Sequence, residues 1–475
     1  MRKQILIEKN VLSTQIAILQ ESEFISFYLE TCIKSDKQNR IVVGQVEQVV
    51  KNLKAVFVNF GEEKNGLLHI KQVPECYQNK LSPGSRLPVQ VVKQNSGEKG
   101  YKLTGKVNLM GRFLVCLPFE TGINISKKIK EQEIREVLKQ KLQCLSNGKY
   151  GFVVRTTAKN ASESLLEKDA LELIEKADAF MKAKDYLSKG SQLYEDPPLF
   201  MQIVREELEG AEKVEIICNQ QSVLSAIQAD IGEEDDEEHI SFKLCNEIEG
   251  LFQVYDIEKK RTQLLNRKIW LKNGGNLVID YTEAMTVIDV NSAKAILTKN
   301  PQKAVLDLNL LAVKESILQM LRRNLSGIIV IDLVEMPSQE DKQYIYEYAK
   351  ELLNKWGDRR TKVYPLTDLG LLQFSRTKKY IGLPQQLFTS CIQCEAPYSE
   401  NSLSYYMMEL EKTIKDISEK TEHTAVFVEV APIFYQFLLK NNCIEQLENA
   451  YNLQLQIERS TASSKKMFLC QFYQR

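Results

Sequence analysis

The chain has no excess of charge of either sign: 63 lysines and arginines balance 63 aspartates and glutamates, for a formal net charge of zero. Capture of polyanions by bulk charge is thereby excluded, and any nucleic-acid contact has to come from positive charge concentrated in local grooves. Histidine is scarce. The three present, His69, His239 and His423, all lie outside the two acidic runs that carry the strongest signal, so none serves them as general base. No apolar run reaches the roughly 18 residues of a membrane-spanning helix. The start, Met1-Arg-Lys-Gln-Ile-Leu-Ile-Glu8, lacks the apolar core of a signal peptide. A cytoplasmic protein with no membrane partner is expected. Ten cysteines stand at 32, 76, 116, 144, 218, 245, 391, 394, 443 and 470 with one close pair, which argues against a disulfide framework. Most of them read as small buried hydrophobes.

At 475 residues the chain exceeds a single core and should hold three or more domains, some inserted within others. Two short apolar runs, Met285-Thr-Val-Ile-Asp289 and Ile328-Ile-Val-Ile-Asp332, each end in an aspartate, and the first continues Val290-Asn291. Their β-branched residues predict parallel strands buried on both faces, with the aspartates at the carboxyl ends. Because strand side chains alternate, Asp289 and Asn291 share a face and Val290 points away. Two carboxylates and a neutral amide suit Mg²⁺, a hard cation that keeps several waters and shares its remaining positions with substrate phosphate. Either Asp alone would more often cap the following helix or turn; both together with Asn291 favour the metal.

Basic clusters occur at Lys127-Lys128-Ile-Lys130, Lys259-Lys260-Arg261, Arg322-Arg323 and Ser375-Arg376-Thr-Lys378-Lys379. Each taken singly reads more often as a solvated face than as a groove. The acidic run Glu233-Glu-Asp-Asp-Glu-Glu238 would repel a polyanion and takes no function.

Residues Arg40 to Ile70 alternate as short strands broken by Gly44, Gly61 and Gly66, the pattern of a small closed β-barrel. Val56, Val58 and Phe60 make its core stripe, so Phe57 faces outward beside Asn59. Pattern alone leaves Phe57 open between a stacking platform and ordinary core. Apolar positions at helical spacing predict a helix from Ser162 to Asp185. Cys391-Ile-Gln-Cys394 is a CxxC with no second pair, half of a tetrahedral zinc site; the competing readings are a redox dithiol and two unrelated thiols.

The blocks Thr282-Glu-Ala-Met-Thr-Val-Ile-Asp289-Val-Asn291-Ser-Ala-Lys294, Asn309, Gly327-Ile-Ile-Val-Ile-Asp332 and Leu369-Gly-Leu-Leu-Gln-Phe-Ser-Arg376 resemble the catalytic core of the bacterial ribonuclease E/G endoribonucleases. The resemblance runs over essentially the whole chain. It implies that Asp289, Asn291 and Asp332 hold the Mg²⁺ that activates water for attack on an RNA phosphodiester. It also puts Arg376 against RNA. Gly44-Gln-Val-Glu-Gln-Val-Val50 through Ile70 resembles the family's S1-type OB-fold domain, which tips Phe57 toward base stacking, with Lys99 and Lys102 near phosphates. Gly122-Ile-Asn-Ile-Ser-Lys-Lys-Ile129 and Gly151-Phe-Val-Val-Arg155-Thr156 resemble the family's 5′ sensor, where an Arg-Thr pair binds a terminal monophosphate. Arg suits that task because its planar fork gives parallel charged hydrogen bonds to phosphate oxygens. Without the resemblance, Arg155 would read as a surface ion-pair residue.

The implied fold is multidomain α/β. A ribonuclease-H-like scaffold (1–35 and 193–265) is interrupted by the S1-type barrel (36–115) and the sensor (116–192). A DNase I-like catalytic domain (266–385), a zinc-link (386–400) and a small α/β assembly domain (401–475) follow. In the family, the link joins two protomers through a Zn²⁺ shared by cysteines at the positions of Cys391 and Cys394, which implies a homodimer or higher oligomer. The expected function is Mg²⁺-dependent cleavage of single-stranded, AU-rich RNA, stimulated by a 5′-monophosphate, in rRNA processing and mRNA decay. The alternative is an RNA-binding assembly protein that keeps the fold with weak or no cleavage. The chain stops near the end of the catalytic region, which makes ribonuclease G, the branch without the long disordered tail, the nearer likeness. Departures from the family pattern are Leu67 in place of a second aromatic, Leu311 in place of glutamate, Glu335 in place of aspartate and Asp368 in place of a basic residue. Ile392 and Glu395-Ala396-Pro397 alter the zinc-link turn.

Overall fold

The structure is a computed structural model that describes residues 2–32, 39–62, 64–93, 100–127, 129–208, 211–231, 239–247, 250–292, 301–390, 398, 400–420, 425–460 and 467–471. The chain divides into two compact units, Met1–Ser35 with Gly210–Arg475, and Asp36–Glu209. No helix of the described residues is long and apolar enough to cross a membrane.

The first unit opens on a five-stranded sheet in the order Ile240–Leu244, Lys213–Cys218, Arg2–Lys9, Ser13–Gln20, Glu23–Thr31. Arg2–Lys9 runs antiparallel to Ser13–Gln20 and parallel to Lys213–Cys218, so chain from either side of the second unit completes one sheet. Every residue of Ser13–Gln20 is buried, as befits a strand covered on both faces. A bulge at Ile25 in Glu23–Thr31 resets the alternation, so that Phe24, Phe27 and Leu29 enter this sheet's core and Ile25 the next one.

That next core belongs to a six-stranded sheet in the order Lys268–Trp270, Asn276–Tyr281, Met285–Asn291, Gly327–Asp332, Leu371–Arg376, Thr361–Tyr364. Within it only Met285–Asn291 and Gly327–Asp332 are parallel neighbours. Parallel pairing needs a long crossover, and the helix Pro301–Arg322 supplies it. Leu277, Ile288, Ile329, Ile331, Leu372 and Phe374 pack under this helix and Gln339–Lys355. Among the described residues, helices cover one face only. The expectation of two strands buried on both faces is therefore corrected: burial alternates along each, and Val287 and Val330 pair half-exposed on the open side. Their β-branched shape suits a pleated surface whether or not it is fully covered.

The C-terminal part holds the helix Leu403–Lys420, the helices Pro432–Lys440 and Cys443–Tyr451, and a three-stranded sheet centred on Ala425–Val430. Its core takes in Leu12 from the first sheet's hairpin. Glu411, buried on the long helix, accepts from the amides of Val11 at 2.6 Å and Leu12 at 3.0 Å, which fastens the two ends of the chain together. Burial pushes its carboxyl pKa upward.

In the second unit, Ile41–Val50, Ala55–Asn59, Gly66–His69, Tyr101–Thr104 and Arg86–Lys93 close into a five-stranded barrel through the pairing of the last with the first. This matches the expected S1-type OB-fold in strand number and closure. So small a barrel has no room for a side chain at Gly44, where a Cβ would meet Val58 at 2.5 Å and Val89 at 2.9 Å. A second sheet, in the order Ile123–Ile125, Gly151–Val154, Leu114–Leu117, Leu109–Met110, packs against the helices Gln132–Ser146 and Glu163–Ala183. The strand Leu114–Leu117 spans the boundary expected at 115 and belongs wholly to this sheet. The helix expected over 162–185 spans Glu163–Ala183, and the Ser162 hydroxyl caps it by accepting from the Leu165 amide.

Candidate functional site

Parallel pairing makes Asp289 and Asp332 direct register partners, so their backbones lie one strand spacing apart, about 4.8 Å. Both are exposed, as is Asn291. Asn291 shares a face with Asp289 and donates through Nδ2 to Asp289 Oδ2 at 2.6 Å. The amide nitrogen is committed to a carboxylate, and the polar atom left on that side chain is an oxygen. The donor set is thus all oxygen, exposed, and flanked across the sheet by apolar Val278 and Leu371. Among the described residues no group of three His, Cys, Asp or Glu could hold a metal, and this constellation is two carboxylates and an amide. Its chemistry fits a hard divalent cation that retains waters.

Behind the pair, Asn309 is fully buried on the crossover helix. It donates to the Val334 carbonyl at 2.8 Å and accepts from the Val334 amide at 3.1 Å. This two-point clamp holds the chain two residues beyond Asp332, a positioning role that the motif alone did not disclose.

Arg376, expected to face RNA, is corrected. Strand parity turns Leu372, Phe374 and Arg376 toward the covered side, and Arg376 is 3% exposed. Its guanidinium donates to Asp358 at 3.1 Å, to Asn324 Oδ1 at 3.0 Å and to the Leu325 carbonyl at 2.8 Å. Burial pushes the Asp358 carboxyl up, but Arg376, then Thr361 and Arg360, outweigh it and hold its pKa below the usual range. The Arg322-Arg323 cluster is also interior. Arg322 bonds the Phe24 carbonyl, Glu315 and Glu23; Arg323 bonds Gln319, Tyr281 and the Asn266 carbonyl. Arg261 is forked onto Glu258. These clusters are joints between elements, because a buried guanidinium is tolerated only when its donors are satisfied.

On the barrel, Val56, Val58 and Phe60 are fully buried, and Phe57 lies half-buried on the opposite face. Register lines up Phe57, Leu67 and Lys102 across three neighbouring strands. Leu67 and Lys102 are exposed, so this row presents an aromatic ring, an aliphatic side chain and a cation on one outer face. Lys99, Cys391 and Cys394 lie outside the described residues.

In the second sheet of that unit, Arg155 follows the strand Gly151–Val154, and its Nη1 donates to the carbonyls of Gly111 and Arg112, both at 3.1 Å. The Thr156 hydroxyl is 3.2 Å from that of Ser126. The loop that holds Arg155 is itself held: the amides of Arg112, Phe113 and Leu114 donate to the Asp169 carboxylate at 3.0, 2.8 and 2.9 Å. A Cβ at Gly111 would sit 2.5 Å from that carboxylate, which is why glycine stands there. Asp169 escaped the sequence reading. Its signal is a lone acid within an apolar helical stripe of Leu166, Ala170 and Leu173.

Asp368 is exposed next to Leu369, on the loop between Thr361–Tyr364 and Leu371–Arg376. It lines a cleft shared with Lys342, Gln343 and Tyr346. Two further aromatics of the six-stranded sheet, Trp270 and Tyr364, also escaped the sequence reading. Each follows a lysine by two residues, and that spacing was their signal.

The ribonuclease E/G family model matches residues 108–379. Ribonuclease G of Haemophilus influenzae is 25% identical over 477 residues, covering 97% of this chain and 95% of that protein. Ribonuclease G of Escherichia coli K12 is 25% identical over 449 residues, with 91% of each covered. Ribonuclease E of a Synechocystis strain is 27% identical over 372 residues, covering 76% of this chain and 55% of that protein. With the family model spanning more than half of its length, including both carboxylate strands, the chain belongs to the ribonuclease E/G family.

Proposed function

We propose that the protein is a Mg²⁺-dependent endoribonuclease that cleaves single-stranded, AU-rich RNA, leaves 3′-hydroxyl and 5′-phosphate ends, and prefers substrates with a 5′-monophosphate. The observation that carries this reading is the register pairing of Asp289 with Asp332, with Asn291 bonded alongside on an exposed sheet face. Asp289 and Asp332 would hold the ion, with Asn291 orienting it. When bound, the ion supplies a water of lowered pKa and positive charge for the phosphate oxygens. The clamp from Asn309 keeps the Asp332 strand end in place.

Arg155 and Thr156 would take the terminal monophosphate, with Asp169 setting the loop that orients Arg155. Phe57 would stack a base, with Lys102 near a phosphate and Lys99 as a further phosphate contact. The five-stranded sheet then serves as a ribonuclease-H-like scaffold and the six-stranded sheet as a DNase I-like catalytic domain. Cys391 and Cys394 supply half of a Zn²⁺ site shared between two chains, in a homodimer or higher oligomer. The setting is the cytoplasm, in rRNA processing and mRNA decay.

The test is the cleavage rate of one AU-rich RNA carrying either a 5′-monophosphate or a 5′-hydroxyl, with and without Mg²⁺, for the wild type and Asp332→Asn. Cleavage that needs Mg²⁺, runs faster on the monophosphate and vanishes in the variant supports the reading. Equal rates on both ends sink the sensing role of Arg155 and Thr156. RNA bound but never cut replaces the nuclease by an RNA-binding assembly protein of the same fold.

A further inference from the structure

The open face of the six-stranded sheet carries more than the carboxylates. Its two edge strands have the same local pattern, Lys268-Ile269-Trp270 and Lys362-Val363-Tyr364, with the middle residue buried and the outer two exposed. In each, the lysine ammonium lies over the ring two residues on, at 4.3 Å for Lys268 on Trp270 and 4.8 Å for Lys362 on Tyr364. Register ties both edges to the site. Trp270 pairs with Asn276 and Asn276 with Asn291, while Lys268 pairs with Val278 and Val278 with Asp289. On the other side Tyr364 pairs with Gln373 and Gln373 with Val330, which shares its face with Asp332 two residues later. Trp270 is thus two strand spacings, about 10 Å, from Asn291, and the whole face spans roughly 24 Å.

We propose that this face is a track for single-stranded RNA crossing the strands, with the scissile phosphate at Asp289 and Asp332 and bases on either side stacked on Trp270 and Tyr364. The track deepens the nuclease reading of the same site and rests on it. The charge pattern matches such an occupant: cations at both edges, where flanking phosphates pass, and the strand-end acids at the centre, where a divalent ion is called for, while Asp280 on the second strand of the same face is neutralised by the fork from Arg267. A cation on one side of each ring leaves the other side for a base, and stacking accepts any sequence because every base has a π-face. Trp270 is 66% exposed, a large apolar area to leave in water beside a site that binds a chain of bases. The plainer role for edge-strand lysines is to block strand addition; that role moves solubility and leaves substrate affinity alone.

Two measurements test the track. Trp270→Ala and Tyr364→Ala should each raise KM for single-stranded RNA by about 5- to 150-fold, with the loss falling on KM rather than kcat, and Trp270→Phe should recover most of it. The chain has two tryptophans, and Trp356 is 9% exposed, so Trp270 is the accessible fluorophore. In Asp289→Asn protein, short oligouridylate should quench the accessible emission, and adding Trp270→Phe should abolish the quenching. Unchanged KM in both alanine variants, or cleavage with no quenching, overturns the track while the nuclease stands. Loss of self-association in Trp270→Ala with KM unchanged overturns it in favour of a second copy of the chain. Quenching that persists in a wild type without ribonuclease activity keeps the track and removes the nuclease.

Discussion

Asp332 and Arg376 stand on neighbouring antiparallel strands of one sheet, Asp332 at the end where its strand meets Leu371 and Arg376 at the far end opposite Gly327. Both fall in the blocks that carry the family resemblance, and both are charged. The structure treats them oppositely. Asp332 sits on the open face with Asp289 and Asn291, where solvent lowers the cost of crowding two carboxylates. Arg376 turns to the covered face and spends its donors on Asp358, Asn324 and Leu325. A charge in a motif can therefore serve a ligand or the scaffold, and side-chain parity decides which.

The sharpest way to break this contrast is to neutralise each in turn. Asp289→Asn should lower Mg²⁺-dependent cleavage by at least about a thousandfold with the melting temperature unchanged, since the site lies outside the core. Arg376→Met should do the reverse. It leaves Asp358 charged and buried, and costs about 3–5 kcal/mol, or roughly 10 °C in melting temperature, with RNA affinity retained by the folded fraction. Should Arg376→Met abolish RNA binding without loss of stability, the reassignment of this residue to the scaffold fails.

The next effect concerns the joint at Glu258, which bonds Arg261 and reaches Lys412 at 3.2 Å on the long C-terminal helix. Burial would raise its pKa, but Arg261 and then Lys412 outweigh that and bring it to about 2. A carboxyl depressed in the folded state adds stability that is complete above its unfolded value near 4.3 and is lost as pH falls toward the folded value. Stability should therefore decline over that acid window, by about 1 kcal/mol from this group once solvent screening of its part-exposed carboxylate is allowed for, and Glu258→Gln should flatten the accompanying fall in melting temperature. The smallest expected change is at the proposed 5′-phosphate site. Arg155→Ala should erase the rate advantage of 5′-monophosphate RNA, about tenfold, and Asp169→Asn should erode it in part by loosening the loop, with 5′-hydroxyl substrates cleaved as before.

Local patterns on this chain were legible wherever a side chain's face follows from period alone. The alternation Val56, Val58, Phe60 set the barrel's core and turned Phe57 outward, and the same rule put Asp289 and Asn291 together. The helix after Ser162 was readable from its apolar spacing. Arg322, Arg323 and Arg376 were not readable, because a basic pair has the same appearance whether its partners are water or a carboxylate 18 residues away. Asp169 was missed for a related reason: its partners are backbone amides more than 50 residues earlier in the chain.

By itself the sequence determined the two acidic strand ends, the barrel's inside and outside, and the family through the spacing of its blocks, since all of these depend on period and order along the chain. The register that sets Asp289 opposite Asp332, the arginines turned inward, the loop strung between Asp169 and Arg155, and the shared face of Trp270, Tyr364 and the carboxylates were decided only by tertiary structure. These depend on which strands become neighbours and which face the helices cover, and that follows from burying apolar surface across segments far apart in sequence.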